Sequence, residues 1–269
     1  MNRTQIIIAL EKKGYQAKEH DVVKNGVVFK GITLNTGNRI NPVIYPDRII
    51  DDTDTADEAA DKVIAMSEAY KNNSISADIL TDRDWIMEHL SIALQRTSDE
   101  DLVKKPTDLE GIEQYLIIIY TGSEESYSIN VTPALLSTAG IPESEAWTIA
   151  MIHLVAATEI TGLQHMLTCM LYQTFGDGTD DPFHIHVITT SHRTKGASAI
   201  LCRVELKAFA EKYGTDRLLV LPSSIHEMLI LPYDGTQDID EFSAMVKEIN
   251  ASQVSPEERL TDQAYIITV

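Results

Sequence analysis

The sequence predicts an α+β protein: a central, mostly antiparallel or mixed sheet with helices packed on it, as one domain or two lobes. Three observations carry this. Apolar, β-branched runs come in pairs joined by short turns, as in residues 21–29 and 218–231. Helical patterns fall between the pairs rather than after each single strand, which argues against a doubly wound parallel sheet. Of the 269 residues, 43% are hydrophobic and 23% charged, enough for a sizeable core without disulfide or metal staples.

In chain order, Ile7, Ile8, Leu10 and Tyr15 lie at helical spacing, so residues 4–18 are expected to open as a helix. Asn25-Gly26 between Val22-Val23 and Val27-Val28-Phe29 predicts a hairpin, because both turn residues tolerate positive φ. A third strand is expected over residues 39–45, stopped by Pro46. Thr53 and Thr55 are candidate N-caps for a helix reaching Tyr70, with acidic residues in its first turn where the macrodipole favours them. Residues 85–94 fit strand or helix, and strand is the expectation. Residues 115–120 are apolar on both faces, as a central buried strand is, and 127–131 pairs with it through the turn at 122–125. Pro142 and Ser144 open a long helical region, with Gly162 as the break into a second helix. A strand over 183–190 follows, then a helix over 197–213 closed by Gly214. Two apolar strands, 218–221 and 228–231, are joined through Pro222-Ser223-Ser224-Ile225-His226-Glu227. A helix over 238–249 and a strand over 265–268 complete the set. A lobe boundary is expected within 106–113, giving lobes 1–110 and 111–269 if the chain is not one domain.

Charge narrows the function classes. There are 41 acidic and 22 basic residues, a net charge of −19. Such a field repels a phosphate backbone, and the densest basic stretch, His192-Arg193-Thr194-Lys195, is too short to form a stripe. Nucleic acid and anionic membrane surfaces are therefore excluded as direct partners, leaving a protein as the partner class. The most apolar stretch, 146–175, is interrupted by His153, Glu159, Gly162 and His165, short of the ~18 uncharged residues a membrane span needs. Two cysteines, Cys169 and Cys202, stand in no paired motif, and the N-terminus shows no secretory pattern. A cytoplasmic protein with two buried thiols is the expectation.

No Gly-x-Ser-x-Gly elbow, Walker A loop or Cys-x-x-Cys pair is present, and nothing in the sequence requires a cofactor. Asp177-Gly178-Thr179-Asp180-Asp181 gathers carboxylates that suit a hard cation, but its spacing is not that of an EF-hand, and it reads as a solvated turn. His184-Ile185-His186 would place both imidazoles on one strand face, making His184 and His186 the candidate ligands of a divalent metal. A catalytic zinc would need a further ligand, for which His226, Glu227, His192 and the Asp177–Asp181 turn are candidates. Paired histidines hydrogen-bonding on a half-exposed strand are the plainer reading. Ser224, His226 and Glu227 are the candidate catalytic residues of a hydrolase. Triads, however, converge from distant segments, and Ser224-x-x-Glu227 also has capping-box spacing, so a self-satisfied turn is expected.

These segments carry a resemblance. Pro222-Ser223-Ser224-Ile225-His226-Glu227, followed by the apolar strand to Pro232, resembles the signature of domain of unknown function 5688, an uncharacterised bacterial family found mainly in gut Firmicutes. Asn41-Pro42-Val43-Ile44-Tyr45, residues 102–120 and Gly196-Ala197 are similar to further segments of that family. Gln95-Arg96-Thr97 and Thr158-Glu159-Ile160-Thr161 depart from its pattern. The resemblance implies a bacterial, cytosolic protein and brings no activity, substrate or cofactor. Two functions remain: a non-enzymatic binding or regulatory protein acting through protein–protein contacts, and a metal-assisted hydrolase built on His184, His186, His226 and Glu227.

Overall fold

Residues 2–37, 41–71, 77–121, 126–163 and 184–269 are described by the computed structural model. The fold is α+β, and its described strands form three sheets in place of the single central one expected. Every pairing between them is antiparallel. The chain divides into two units, Met1–Asp82 and Arg83–Val269.

In the first unit, helix α1 (Arg3–Lys12) begins at a capping box between Asn2 and Gln5 and ends before Gly14, whose φ of +88° breaks the predicted run to residue 18. The hairpin of β1 (Ala17–Lys24) and β2 (Val27–Leu34) turns at Asn25 and Gly26, at φ +50° and +74°. A short β3 (Val43–Ile44) pairs with β2, and residues 38–40 of the expected third strand lie outside the described residues. Helix α2 (Ala56–Lys71) starts at Thr55, which exchanges hydrogen bonds with Glu58. Ile32, Leu34 and Ile44 pack with Ile6, Leu10 and Val63, so both helices cover the same face of this sheet.

The second unit starts with α3 (Arg83–His89), which passes directly into β4 (Leu90–Arg96), so residues 85–94 are helix first and strand after. Strand β5 (Lys104–Pro106) and β6 (Ile112–Thr121) form a hairpin, so the expected lobe boundary within 106–113 is here a turn inside one sheet. As expected, β6 is central: it pairs with β4, with β5 and with β7 (Ser126–Asn130). Helices α4 (Pro133–Ala139) and α5 (Glu143–Ala157) follow, and Leu136, Trp147 and Leu154 pack against Leu116 and Ile118.

The third sheet has the order β12-β10-β11-β9-β8. Its strands are β8 (Thr158–Gly162), β9 (His186–Thr190), β10 (Arg217–Pro222), β11 (Met228–Pro232) and β12 (Tyr265–Thr268). Gly162 therefore ends a strand, and the second helix expected beyond it falls on residues outside those described. Between β9 and β10 the chain makes a 3-10 turn, Gly196–Leu201, before α6 (Arg203–Lys212), where a continuous helix was expected. Helix α7 (Ile239–Gln253) is capped by Asp238. Ile188, Val220 and Ile230 are fully buried beside Leu206 and Leu218. Among the described residues, no helix is long and apolar enough to cross a membrane.

Candidate functional site

The turn joining β10 to β11 is where the chemical-looking residues concentrate, and neighbouring segments fix its shape. Ser224 Oγ accepts the backbone N–H of His226 at 3.0 Å, and the Ser224 N–H donates to the Glu227 carbonyl at 3.1 Å. The serine thus bends its own turn, as the self-satisfied reading expects. The His226 carbonyl accepts from Thr189 Oγ1 at 2.8 Å, and the Ile225 carbonyl accepts the Ala197 N–H at 3.2 Å. On the far side, the Ile225 N–H donates to the Glu258 carbonyl at 2.8 Å. Gly196 is required here: a Cβ on it would lie 2.3 Å from Thr189 Oγ1 and 2.8 Å from the His226 carbonyl oxygen.

The His226 ring is held at both nitrogens. Nδ1 accepts the Lys195 N–H at 3.2 Å, so the proton of the neutral ring sits on Nε2, which faces Glu258 Oε1 at 3.5 Å. A carboxylate on one nitrogen is half of a nucleophile–base–orienter array. The other nitrogen, where such an array needs a hydroxyl or thiol, is occupied by a main-chain N–H. Lys195 holds this position at φ +53°, in the left-handed region, and its Nζ donates to Tyr115 Oη at 2.6 Å. Tyr115 is buried, and burial, with the negative charge of Glu100 adding to it, pushes its phenol above the ordinary range. A positive φ at Lys195 has no sequence signal, and Glu258 is too distant in the chain to be linked to His226 by inspection. The short basic stretch ending at Lys195 was the one visible pointer.

The candidate metal ligands are not arranged as the alternation of a strand implies. His184 lies ahead of β9 at φ +50° with its ring against Tyr213, centroids 4.9 Å apart. His186 Nδ1 donates to the His184 carbonyl at 2.8 Å, and its Nε2 accepts from Tyr213 Oη at 3.4 Å. Strand β9 does neighbour the His226 turn, but Ile188 faces Met228 and His186 faces Ile230 in the register, which puts His186 and His226 at opposite ends of the pair. At the rise of a strand that is ~13 Å, too far for one ion. Among the described residues, no three His, Cys, Asp or Glu side chains form a group that could hold a metal ion. The Asp177–Asp181 turn and Cys169 lie outside the described residues. Cys202 is buried, which pushes its thiol up and away from reactivity, with a 3.0 Å hydrogen bond between its Sγ and Thr158 Oγ1 opposing that shift.

A second surface emerges on α7. Its buried side carries Val246 and Asn250, while Glu241, Met245, Glu248 and Ile249 face solvent, with Met245 49% and Ile249 46% exposed. Spacings of three and four residues put these four on one helical stripe. The signal was present in the sequence as a second apolar pair inside an acidic helix, beyond what the core needs.

No curated protein and no solved structure matches the chain. The profile of one protein family, described as a family of unknown function (DUF5688), matches residues 3–267.

Proposed function

The chain belongs to that family of unknown function, DUF5688, and we propose that it works as a non-enzymatic binding protein, taking a basic partner protein on the acidic second unit. One observation carries the reading: the α7 stripe, where exposed Met245 and Ile249 run alongside Glu241 and Glu248. A flexible thioether and an aliphatic side chain supply adaptable apolar anchors, and the flanking carboxylates select a partner of positive charge. The charge of the whole unit supports it, because 28 of the 41 acidic residues but only 12 of the 22 basic ones fall in 83–269. The seat of His226 argues the same way, since its base nitrogen is consumed by a main-chain donor. The net charge supports a protein over a nucleic acid as partner, the two unpaired cysteines support a cytoplasmic setting, and a bacterial one is what the family resemblance implies.

The test is capture from lysate by the immobilised chain, wild type against a Glu241→Lys, Glu248→Lys double variant. A basic protein should be retained by the wild type at about 50 mM salt and released at about 300 mM, where screening shortens the reach of the field. The double variant should lose it with an unchanged melting temperature. Retention by the double variant, or substrate turnover abolished by His226→Ala, would sink the reading.

A further inference from the structure

One surface of the first unit is opposite in sign to the rest of the protein. Helices α1 and α2 cover one face of the β1-β2-β3 sheet, and the register sends Lys18, His20, Val22 and Lys24 to the other, beside Phe29. The carboxylates of β1, Glu19 and Asp21, alternate onto the α1 side, where both pair with Arg3. Among the described residues, no strand residue on the open face carries a carboxylate, in a chain of net charge −19.

That face also holds its cations in place. The rings of Phe29 and Tyr45 meet at 5.3 Å, tilted by 58°. Lys24 Nζ stands 4.8 Å from the Tyr45 centroid and 5.8 Å from that of Phe29. The Arg48 guanidinium mirrors it, 4.9 Å from Phe29 and 5.8 Å from Tyr45. Each cation is steadied by both aromatic faces, so less rotamer freedom is left to lose when a ligand arrives. The aromatic pair itself is half-buried, leaving ring surface for contact.

We propose that this open sheet face docks an acidic segment of a partner protein, with carboxylates against Lys24 and Arg48 and an aromatic side chain against Phe29 and Tyr45. Charge complementarity selects that occupant. A phosphate strand would present a charge at every unit to a protein whose long-range field repels it, and it would meet two fixed cations rather than a track. A short segment with a few carboxylates avoids most of that repulsion and matches the pair. This surface lies in the other unit from the α7 stripe and takes a partner of opposite charge, so neither reading depends on the other.

The experiment uses the full chain and a fluorescently labelled peptide of alternating glutamate and tyrosine, followed by anisotropy at about 50 mM salt. The wild type should bind, and Lys24→Glu and Arg48→Glu should each weaken binding about tenfold, with Tyr45→Ala weakening it several-fold. Lys207→Glu, exposed on α6 in the other unit, should bind as the wild type does, and thermal melts should show all variants folded. Absence of binding by the wild type overturns the proposal. So does equal binding by the folded Lys24→Glu and Arg48→Glu variants, or tighter binding of an oligothymidylate of similar length.

Discussion

His226 and Lys195 hold each other through one main-chain hydrogen bond, and Lys195 reaches from there to a phenol buried in a different sheet. Tyr115 makes that link sensitive to alkali. Below the ordinary phenol value of 10.0 both folded and unfolded chains keep the proton, and the contribution to stability is complete. Above it the unfolded chain ionises while the folded one resists, so stability is lost as pH rises from 10.0 towards the raised folded value. Tyr115→Phe should flatten this alkaline loss relative to the wild type, as read by urea unfolding at about pH 8 and about pH 10.5. Parallel profiles for the two proteins would mean that Tyr115 does not titrate as its burial requires. At this scale the sequence was a partial guide. Ser224 was readable as a turn-former from its own neighbours, whereas the partners of His226 come from Lys195 and Glu258, which only the fold brings within reach.

Elements were legible where local chemistry sets them. The Asn25-Gly26 hairpin forms because both positions need positive φ, and Gly26→Ala should cost about 1–2 kcal/mol by forcing a Cβ into that region. Chemical denaturation monitored on the first unit checks it, and a variant as stable as the wild type would place the turn's rigidity elsewhere. Strand β6 was readable because it is buried on both faces between β4 and its other neighbours. Residues 85–94 misled for the same reason. Strand β4 is buried on both faces and shows no period of two, while α3 is only seven residues long, too short to show one of 3.6. Strand β8 escaped notice because Thr158-Glu159-Ile160-Thr161-Gly162 is short and lies directly after an apolar helix, with no turn residue between them to mark the change.

For the whole molecule, the α+β class followed from strands arriving in pairs, but the number of sheets did not, since pairing partners leave no trace in composition. The two units have separate buried clusters, Ile32, Leu34 and Val63 in one and Val220 and Ile230 in the other. Val220 is fully buried in the strand between β11 and β12, so Val220→Asp should cost several kcal/mol and unfold the second unit. Limited proteolysis should then cut throughout 83–269 while the first unit keeps its protection. A Val220→Asp protein that melts as cooperatively as the wild type would show that β10 is not the centre of that core.

The same strand order has a consequence for synthesis. Strand β10 pairs Arg217 with Thr268, 51 residues on, and Ile225 of the turn after it hangs from Glu258, 33 residues on, so neither contact exists until those stretches have left the ribosome. The first unit has every sheet and helix partner within its opening 82 residues and can close while the rest is still being made. During that interval the apolar strand over 217–222 waits with one edge unfilled, which leaves it open to pairing with a neighbouring chain.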